Sequence, residues 1–243
     1  MKMLLPRWED DPEAIRLLLR EVVAGRSVSH PHLVSILSAS ISRPPRFLVM
    51  PWLEGRTLQE HLSAERCFDL PEVLWIGRQV AEALQALYAA GWTHGDVKPS
   101  NVFLSPQCHV TLLDLGFARR NDETGSAVDR CVTGTCNYMA PELIVSALRA
   151  DIRSDIYSLG VVLFQMFSGR LPFSGDDLAT LATQHKQAAV PDLYRLAPQL
   201  PVGVVRLVRA MLSKEPLRRP QTPSELIERL ANLEIATFSE RAL

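Results

Sequence analysis

Apolar residues recur at helical spacing in several stretches of the chain, which predicts a largely helical protein. In the first stretch Asp11 can cap a helix, Pro12 suits its first turn, and Leu18 and Val22 contribute to one apolar face before Val28. A second helix is predicted to start at the acidic pair Asp69 and Glu72 and to end at Gly91. The same spacing predicts further helices over Ile152–Ser168, Asp176–Gln187, Val202–Ser213 and Ser224–Leu233.

Short apolar runs between turn-forming residues predict strands in two places. Leu33–Ile41 and Phe47–Met50 form the first pair, and Val102–Leu104 with Val110–Leu113 predict a hairpin. The polar, aperiodic stretch 114–142 is too long for an ordinary connection, so we expect it to be functional. The pattern therefore predicts a small strand-and-helix part followed by a larger helical part, with a ligand cleft between them.

The composition of the chain excludes several classes of protein. The 243 residues carry 26 Lys+Arg against 27 Asp+Glu, with 47% hydrophobic residues, which excludes a disordered chain and a nucleic-acid binder acting through bulk charge. The most apolar run, Ile156–Phe167, is about half as long as a membrane-spanning helix, and Pro6 interrupts the apolar start that a signal peptide needs. The four cysteines form no C-x-x-C pair. We therefore expect a cytoplasmic protein with reduced thiols.

Three motifs carry candidate chemistry. His94-Gly95-Asp96-Val97-Lys98-Pro99-Ser100-Asn101 follows the long helix, Asp114-Leu115-Gly116 comes next, and Tyr138-Met139-Ala140-Pro141-Glu142 closes the polar stretch. In order and spacing they resemble the catalytic loop, the metal-binding triplet and the Ala-Pro-Glu of protein kinases. The resemblance covers the chain to about Leu233 and is most similar to the bacterial branch of eukaryotic-type Ser/Thr kinases.

This resemblance implies a role for each motif residue. Asp96 takes the place of the carboxylate beside the attacking hydroxyl, and Lys98 that of the γ-phosphate contact of Ser/Thr kinases. Asn101 and Asp114 would be the Mg²⁺ ligands, since both supply hard oxygen atoms. They bracket the predicted hairpin, so both side chains can return to the same end of it.

The resemblance also implies an ATP-binding set in the first part of the chain. Glu21, nine residues before His30-Pro31-His32, is similar to the carboxylate that pairs with the ATP-positioning lysine. Lys2 is the candidate for that lysine because it is the one lysine that precedes Glu21. Alone, either residue is equally typical of a solvated surface.

Four residues are implied for the adenine pocket. Met50 takes the gatekeeper position, Pro51 and Leu53 belong to the hinge, and Phe103 would form the floor of the pocket, unless it is ordinary core packing. Pro51 lacks an amide hydrogen but keeps the carbonyl that adenine uses.

Outside the pocket, the resemblance implies structural roles. Asp155 would anchor the catalytic loop, Arg219 would pair with Glu142, and His94 would be a structural histidine.

The chain departs from the family pattern in three respects. No G-x-G-x-x-G precedes Glu21, Gly95 replaces the arginine of the catalytic loop, and Leu115 replaces the aromatic residue of the metal triplet. We expect a small lobe truncated at its N-terminus, with Lys2 and Glu21 forming a weakly held surface ion pair. Because Gly95 has no charge, phosphorylation at Thr124, Ser126 and Thr133 is expected to have little effect. Thr135 is expected to contact Asp96 and Lys98.

The sequence therefore predicts an α+β, protein-kinase-like bilobal fold with a partial N-terminal lobe (1–52), a mainly helical C-terminal lobe (53–234) and a tail (235–243). The predicted function is Mg²⁺- and ATP-dependent phosphorylation of Ser/Thr hydroxyls in protein substrates. The alternative is a pseudokinase or scaffold that acts by binding proteins. Neither a nucleic-acid partner nor a membrane segment is expected, and the oligomeric state stays open.

Overall fold

The computed structural model describes residues 1–121, 135–145, 151–175 and 177–238. Its first part is an antiparallel sheet of β1 (Lys2–Met3), β2 (Ser38–Ser40) and β3 (Phe47–Val49), in the order β1-β3-β2. Helix α1 (Pro12–Ser27) packs on this sheet and is capped by the side chain of Asp11. Strand β1, which carries Lys2, lies at the edge of this sheet and pairs only with β3 among the described strands.

The larger part is helical, with two small sheets inserted before the middle of the chain. Its first elements are β4 (Arg56–Thr57), α2 (Leu58–Ser63), α3 (Leu70–Ala89), β5 (Trp92–Thr93), β6 (Val102–Leu104), β7 (Val110–Leu112) and β8 (Arg119–Arg120). They are followed by α4 (Pro141–Val145), α5 (Ile152–Ser168), α6 (Leu178–Gln187), α7 (Leu193–Leu196), α8 (Val202–Met211) and α9 (Pro223–Phe238).

Helix α3 is the central element of the larger part. Asp69 and Glu72 form the capping box that satisfies its first amides, as predicted. Its apolar face is fully buried against α5 and α9, so α3 forms the centre of the main hydrophobic core. The buried residues of that face include Val73, Ile76, Val80, Leu84 and Leu87.

The two small sheets hold the segments that carry the motifs. Strands β4, β6 and β7 form one antiparallel sheet, with Val102 opposite Leu112 in the predicted hairpin. Strand β5 pairs with β8, which places Thr93 opposite Arg119. The motif segment 94–101 and Asp114 therefore leave these sheets at neighbouring ends.

The strand predicted over Leu33–Ile41 is wrong in its first half. Leu33 instead forms a single parallel bridge to Leu112 of β7, where the Leu112 amide donates to the His32 carbonyl at 2.9 Å. Leu33 and Val34 are buried there, so their apolar character reflects packing and not membership of a continuous strand.

Helix α9 continues to Phe238 and so includes the first residues of the tail that we predict over 235–243. Within the described ranges, no helix is both long and apolar enough to cross a bilayer.

Candidate active site

The motif segment between β5 and β6 brings the side chains of Asp96, Lys98 and Asn101 into contact. Lys98 Nζ lies 2.8 Å from Asp96 Oδ2. Asn101 Nδ2 donates to the same oxygen at 2.9 Å and to the Asp96 carbonyl at 2.8 Å. The side chain of Asp96 is only 3% exposed, so these two donors offset the cost of burying its charge.

A buried aspartate on α5 fixes the backbone of this segment. Asp155 accepts hydrogen bonds from the backbone amides of His94, at 2.7 Å, and Gly95, at 2.8 Å. His94 is also buried and held on both sides: its Nδ1 accepts from the Asp96 amide, and its Nε2 donates to the Leu113 carbonyl. The contacts predicted for Asp155 are present, and both ring nitrogens of His94 form hydrogen bonds with backbone groups.

Gly95 adopts a backbone conformation that explains its residue type. Its φ is 78°, in the left-handed region that glycine enters without the strain of a Cβ atom. An arginine at this position, as in the family pattern, would therefore be strained in this structure.

The β6–β7 hairpin brings Asn101 and Asp114 to one end, as predicted. The amide of Leu113 donates to the Asn101 carbonyl at 2.8 Å, which joins the residues that flank the two strands. Asp114 has a φ of 60°, an uncommon value that aspartate tolerates better than most residues and that is often found at functional sites.

Lys2 bridges two carboxylates at this point. Its Nζ lies 2.7 Å from Glu21 Oε2 and 3.1 Å from Asp114 Oδ1. The expectation of a surface pair is wrong, because the Glu21 side chain is only 2% exposed, although Lys2 keeps 43% of its side-chain surface. The bond to Asp114 has no signal in the sequence, since the two residues lie 112 positions apart.

The electrostatics of this triad follow from burial and charge. Burial, and then the charge of Asp114, raise the pKa of Glu21 above its ordinary value, and Lys2 only partly opposes this. Burial also acts to raise the pKa of Asp114, but the Lys2 ammonium and the Gly116 amide lower it overall. Although burial opposes it, the two carboxylates raise the pKa of Lys2. Asp114 and Lys2 are therefore charged at neutral pH.

Three of the residues proposed to contact adenine, Met50, Pro51 and Leu53, lie where the chain passes from the first sheet to the larger part. The fourth, Phe103, lies on β6. Met50 packs against the small core formed by Leu18, Val22 and Leu48. Pro51, Leu53 and Phe103 are partly buried, and Phe103 is paired on β6 with Thr57 of β4. Their common role in binding adenine stays a prediction.

A buried ion pair anchors the end of the polar stretch, as predicted. Arg219 donates to Glu142 at 2.7 and 2.8 Å, and its side chain is fully buried. It also donates to the carbonyls of Ser213 and Arg153, while the Ser154 hydroxyl donates to Glu142. Ser154 has no sequence signal beyond its position next to Asp155.

The predicted phosphorylation sites Thr124, Ser126 and Thr133 lie outside the described residues. The side chain of Thr135 also lies outside them, so its contact with Asp96 and Lys98 stays a prediction.

Comparison with known proteins decides the family. A family model described as protein kinase domain matches residues 1–230. The chain belongs to the protein kinase domain family. The fold implied by the three motifs is thereby confirmed.

Several curated relatives of this chain are bacterial kinases. Serine/threonine-protein kinase PrkC of Bacillus subtilis is 31% identical over 93% of this chain and 35% of its own length. Serine/threonine-protein kinase pkn2 of Myxococcus xanthus is 38% identical over 87% and 26%, and PknA of Mycobacterium tuberculosis is 33% identical over 90% and 51%. The chain spans about a third of the length of relatives such as PrkC.

Proposed function

We propose that this chain transfers the γ-phosphate of ATP to serine and threonine hydroxyls of protein substrates. The observation that carries the proposal is that Lys98 and Asn101 both lie within 2.9 Å of Asp96 Oδ2, next to the hairpin end that holds Asp114. Phosphoryl transfer depends on positioning and charge stabilisation, and this arrangement provides groups for both.

Asp96 is proposed to accept the proton of the attacking hydroxyl. Both of its side-chain partners bind Oδ2, and among the described residues Oδ1 accepts no side-chain hydrogen bond. Oδ1 is therefore the atom that we assign to the substrate hydroxyl. Lys98 is proposed to contact the phosphoryl group in transfer, because its ammonium lies beside the carboxylate that receives the proton.

Asn101 and Asp114 fit a magnesium ion. Asn101 uses its amide nitrogen on Asp96, which leaves its amide oxygen as the atom that can act as a ligand. The lowered pKa of Asp114 keeps its carboxylate charged, as a metal ligand must be. When bound, Mg²⁺ neutralises the charge of the phosphates.

Lys2 and Glu21 are proposed to position the phosphates. The Lys2 ammonium points to the metal-binding end through its bond to Asp114, while buried Glu21 holds it from the other side. Met50, Pro51, Leu53 and Phe103 are proposed to contact the adenine. A scaffold that only binds proteins is not favoured, because such a role does not require these charged contacts.

Serine and threonine are the proposed acceptors for two reasons. Lys98 stands two residues after Asp96, the pattern that resembles Ser/Thr kinases, and the curated relatives are named serine/threonine-protein kinases.

The proposal is tested by a transfer assay with γ-labelled ATP and a general acceptor protein, followed by identification of the phosphorylated amino acid. Wild type should give Mg²⁺-dependent phosphoserine or phosphothreonine, and Asp114→Asn should lose transfer while remaining folded. Asp151→Asn, which changes the partly exposed N-cap of α5, is the matched control and should retain transfer. Transfer by Asp114→Asn at the wild-type rate would refute the assignment.

A further inference from the structure

A buried histidine on α6 lies against α5, outside the set of residues that the proposed function uses. His185 is fully buried, and its ring lies 5.0 Å from the Phe173 ring and 5.9 Å from the Tyr157 ring of α5, measured between centroids. Helix α6 also packs on the 3₁₀ turn Thr135–Tyr138. His185 therefore lies on the face of α6 that joins this helix to the rest of the larger part.

The Tyr157 hydroxyl determines which nitrogen of this ring carries the proton. It lies 2.9 Å from His185 Nδ1, and among the described residues it has no other hydrogen-bond partner. Burial raises the pKa of Tyr157, so the hydroxyl keeps its proton and needs an acceptor. His185 Nδ1 is that acceptor, and the proton of the neutral ring therefore lies on Nε2.

The surroundings of His185 keep the ring neutral. Burial, and then the charge of Lys214, lower the pKa of His185 to about 4, although the backbone of Asn137 opposes them. The Lys214 ammonium lies 3.6 Å from the centroid of the Phe173 ring and donates to the Gln184 carbonyl at 3.4 Å. Held there, Lys214 disfavours a second proton on the imidazole at neutral pH.

The Nε2–H group of His185 is a buried donor that lacks a good acceptor. Among the described residues, the buried Nε2 atom forms no hydrogen bond of ordinary geometry. The backbone of Asn137 acts to raise the pKa of the ring, and since only an accepting group does so, the group near the ring is the Asn137 carbonyl. A buried donor without a partner is costly, so the protein gains stability when Nε2 and this carbonyl come together.

The turn Thr135–Tyr138 borders the carboxylate that we assign as the proton acceptor. Tyr138 and Met139 line one small cleft together with Asp96. The Tyr138 hydroxyl donates to Gln165 Oε1 of α5 at 2.7 Å, which ties the turn to that helix. The residues that we propose to bind ATP or Mg²⁺ all lie outside α5, α6 and this turn. Because the turn borders Asp96 and carries no proposed nucleotide contact, it is placed to contact the protein substrate.

We propose that His185 is a positioning residue for the protein substrate, whose Nε2–H group holds the Asn137 carbonyl and so fixes the turn beside Asp96. The other ring nitrogen is bound to Tyr157, which anchors the imidazole to α5. The same helix carries Asp155, which holds the motif segment through two backbone amides. His185 thus ties the substrate side of the site to the helix that anchors its catalytic side. This role rests on the proposed function, whereas the contact between His185 and Asn137 does not.

The contact is tested by ¹⁵N NMR of the histidine rings in the whole wild-type chain, with the His185 signals assigned through nuclear Overhauser effects to the Tyr157 and Phe173 rings. At pH 7 the single ring proton should lie on Nε2, exchange slowly with water and show a nuclear Overhauser effect to Asn137 or Tyr138. A proton on Nδ1, or an Nε2 proton without an effect to this turn, would overturn the proposal. Because no variant is needed, this measurement does not depend on whether a substitution is tolerated.

The positioning role is tested by steady-state kinetics with casein as the acceptor protein and two variants of His185. The amide of asparagine reaches the position of Nδ1, and that of glutamine reaches the position of Nε2. His185→Asn therefore keeps an acceptor for Tyr157 but loses the donor, whereas His185→Gln keeps the donor. His185→Asn should raise the KM for casein about tenfold, equivalent to about 1.4 kcal/mol, with kcat and the KM for ATP within about twofold of wild type. His185→Gln should restore most of the affinity for casein.

The control is His61→Asn, which makes the same change at a partly buried histidine of α2 and should leave both KM values unchanged. An unchanged KM for casein in His185→Asn, an equal rise in His185→Gln, or an equal rise in the KM for ATP would overturn the role. If wild type transferred no phosphate from ATP to casein or to itself, the proposed function would fail, and the NMR result would still decide the contact with Asn137.

Discussion

Replacing Asp155 with asparagine should release the motif segment without removing any residue proposed to contact substrate. The carboxylate, 1% exposed, accepts from the His94 and Gly95 amides at 2.7 and 2.8 Å. Asparagine keeps the shape but has one acceptor oxygen, so its amide nitrogen would face one of the two N–H groups. One buried amide would then lose its partner.

The magnitude follows from these two bonds. A hydrogen bond to a charged group contributes about 1.5–3 kcal/mol, and the retained bond weakens by about 1 kcal/mol when its acceptor becomes neutral. We therefore expect Asp155→Asn to lower the free energy of unfolding by about 2.5–4 kcal/mol. For a chain of this length, that loss corresponds to a fall of about 5–15 °C in Tm.

The assay is thermal and denaturant unfolding together with the transfer assay. Asp151→Asn is the control, because it makes the same chemical change at the cap of the same helix, where the side chain is 41% exposed and asparagine also caps well. We expect the control to lose less than about 1 kcal/mol and Asp155→Asn to lose at least tenfold in kcat/KM. Equal stability of the two variants would refute the anchoring role of Asp155.

Three further predictions concern other parts of the site. Burial raises the pKa of Glu21, so its ion pair with Lys2 should be lost as the pH falls through a value above the usual glutamate range. The pH profile of kcat/KM should therefore fall on the acid side in wild type, and this fall should be absent in Glu21→Gln. Gly95→Ala should cost about 1–2 kcal/mol in denaturant unfolding because of its φ of 78°, and no loss would contradict the left-handed conformation. Glu142→Gln should lower stability by about 3–5 kcal/mol, since Arg219 would keep a buried charge without its carboxylate, and a loss below 1 kcal/mol in the same measurement would show that the charge is compensated elsewhere.

Helices were predictable from sequence where the information is local. Helix α5 spans the predicted Ile152–Ser168, because a continuous apolar pattern lies between the cap Asp151 and Gly169. Helix α2 was missed because its six residues are too few to show a period, although the capping box of Thr57 and Glu60 marks its start. The prediction of a strand starting at Leu33 was wrong because buried apolar residues at an isolated bridge give the same sequence pattern as residues in a strand.

The candidate site was predictable in its motifs and less so in its contacts. The hairpin brings Asn101 and Asp114 together through local pairing, which the sequence pattern contains. The bond between Lys2 and Asp114, and that between Tyr157 and His185, depend on how distant segments pack. A single sequence carries no periodic or turn signal for such contacts.

The central claim is that Asp96 acts in the transfer step and not in binding ATP. It is tested most directly by single-turnover transfer and calorimetric Mg·ATP binding, both measured on wild type and Asp96→Asn. We predict for Asp96→Asn a nucleotide affinity within about twofold of wild type and a transfer rate lower by about 10²–10⁴, the usual contribution of a positioned acid or base. Equal transfer rates in the two proteins would contradict it.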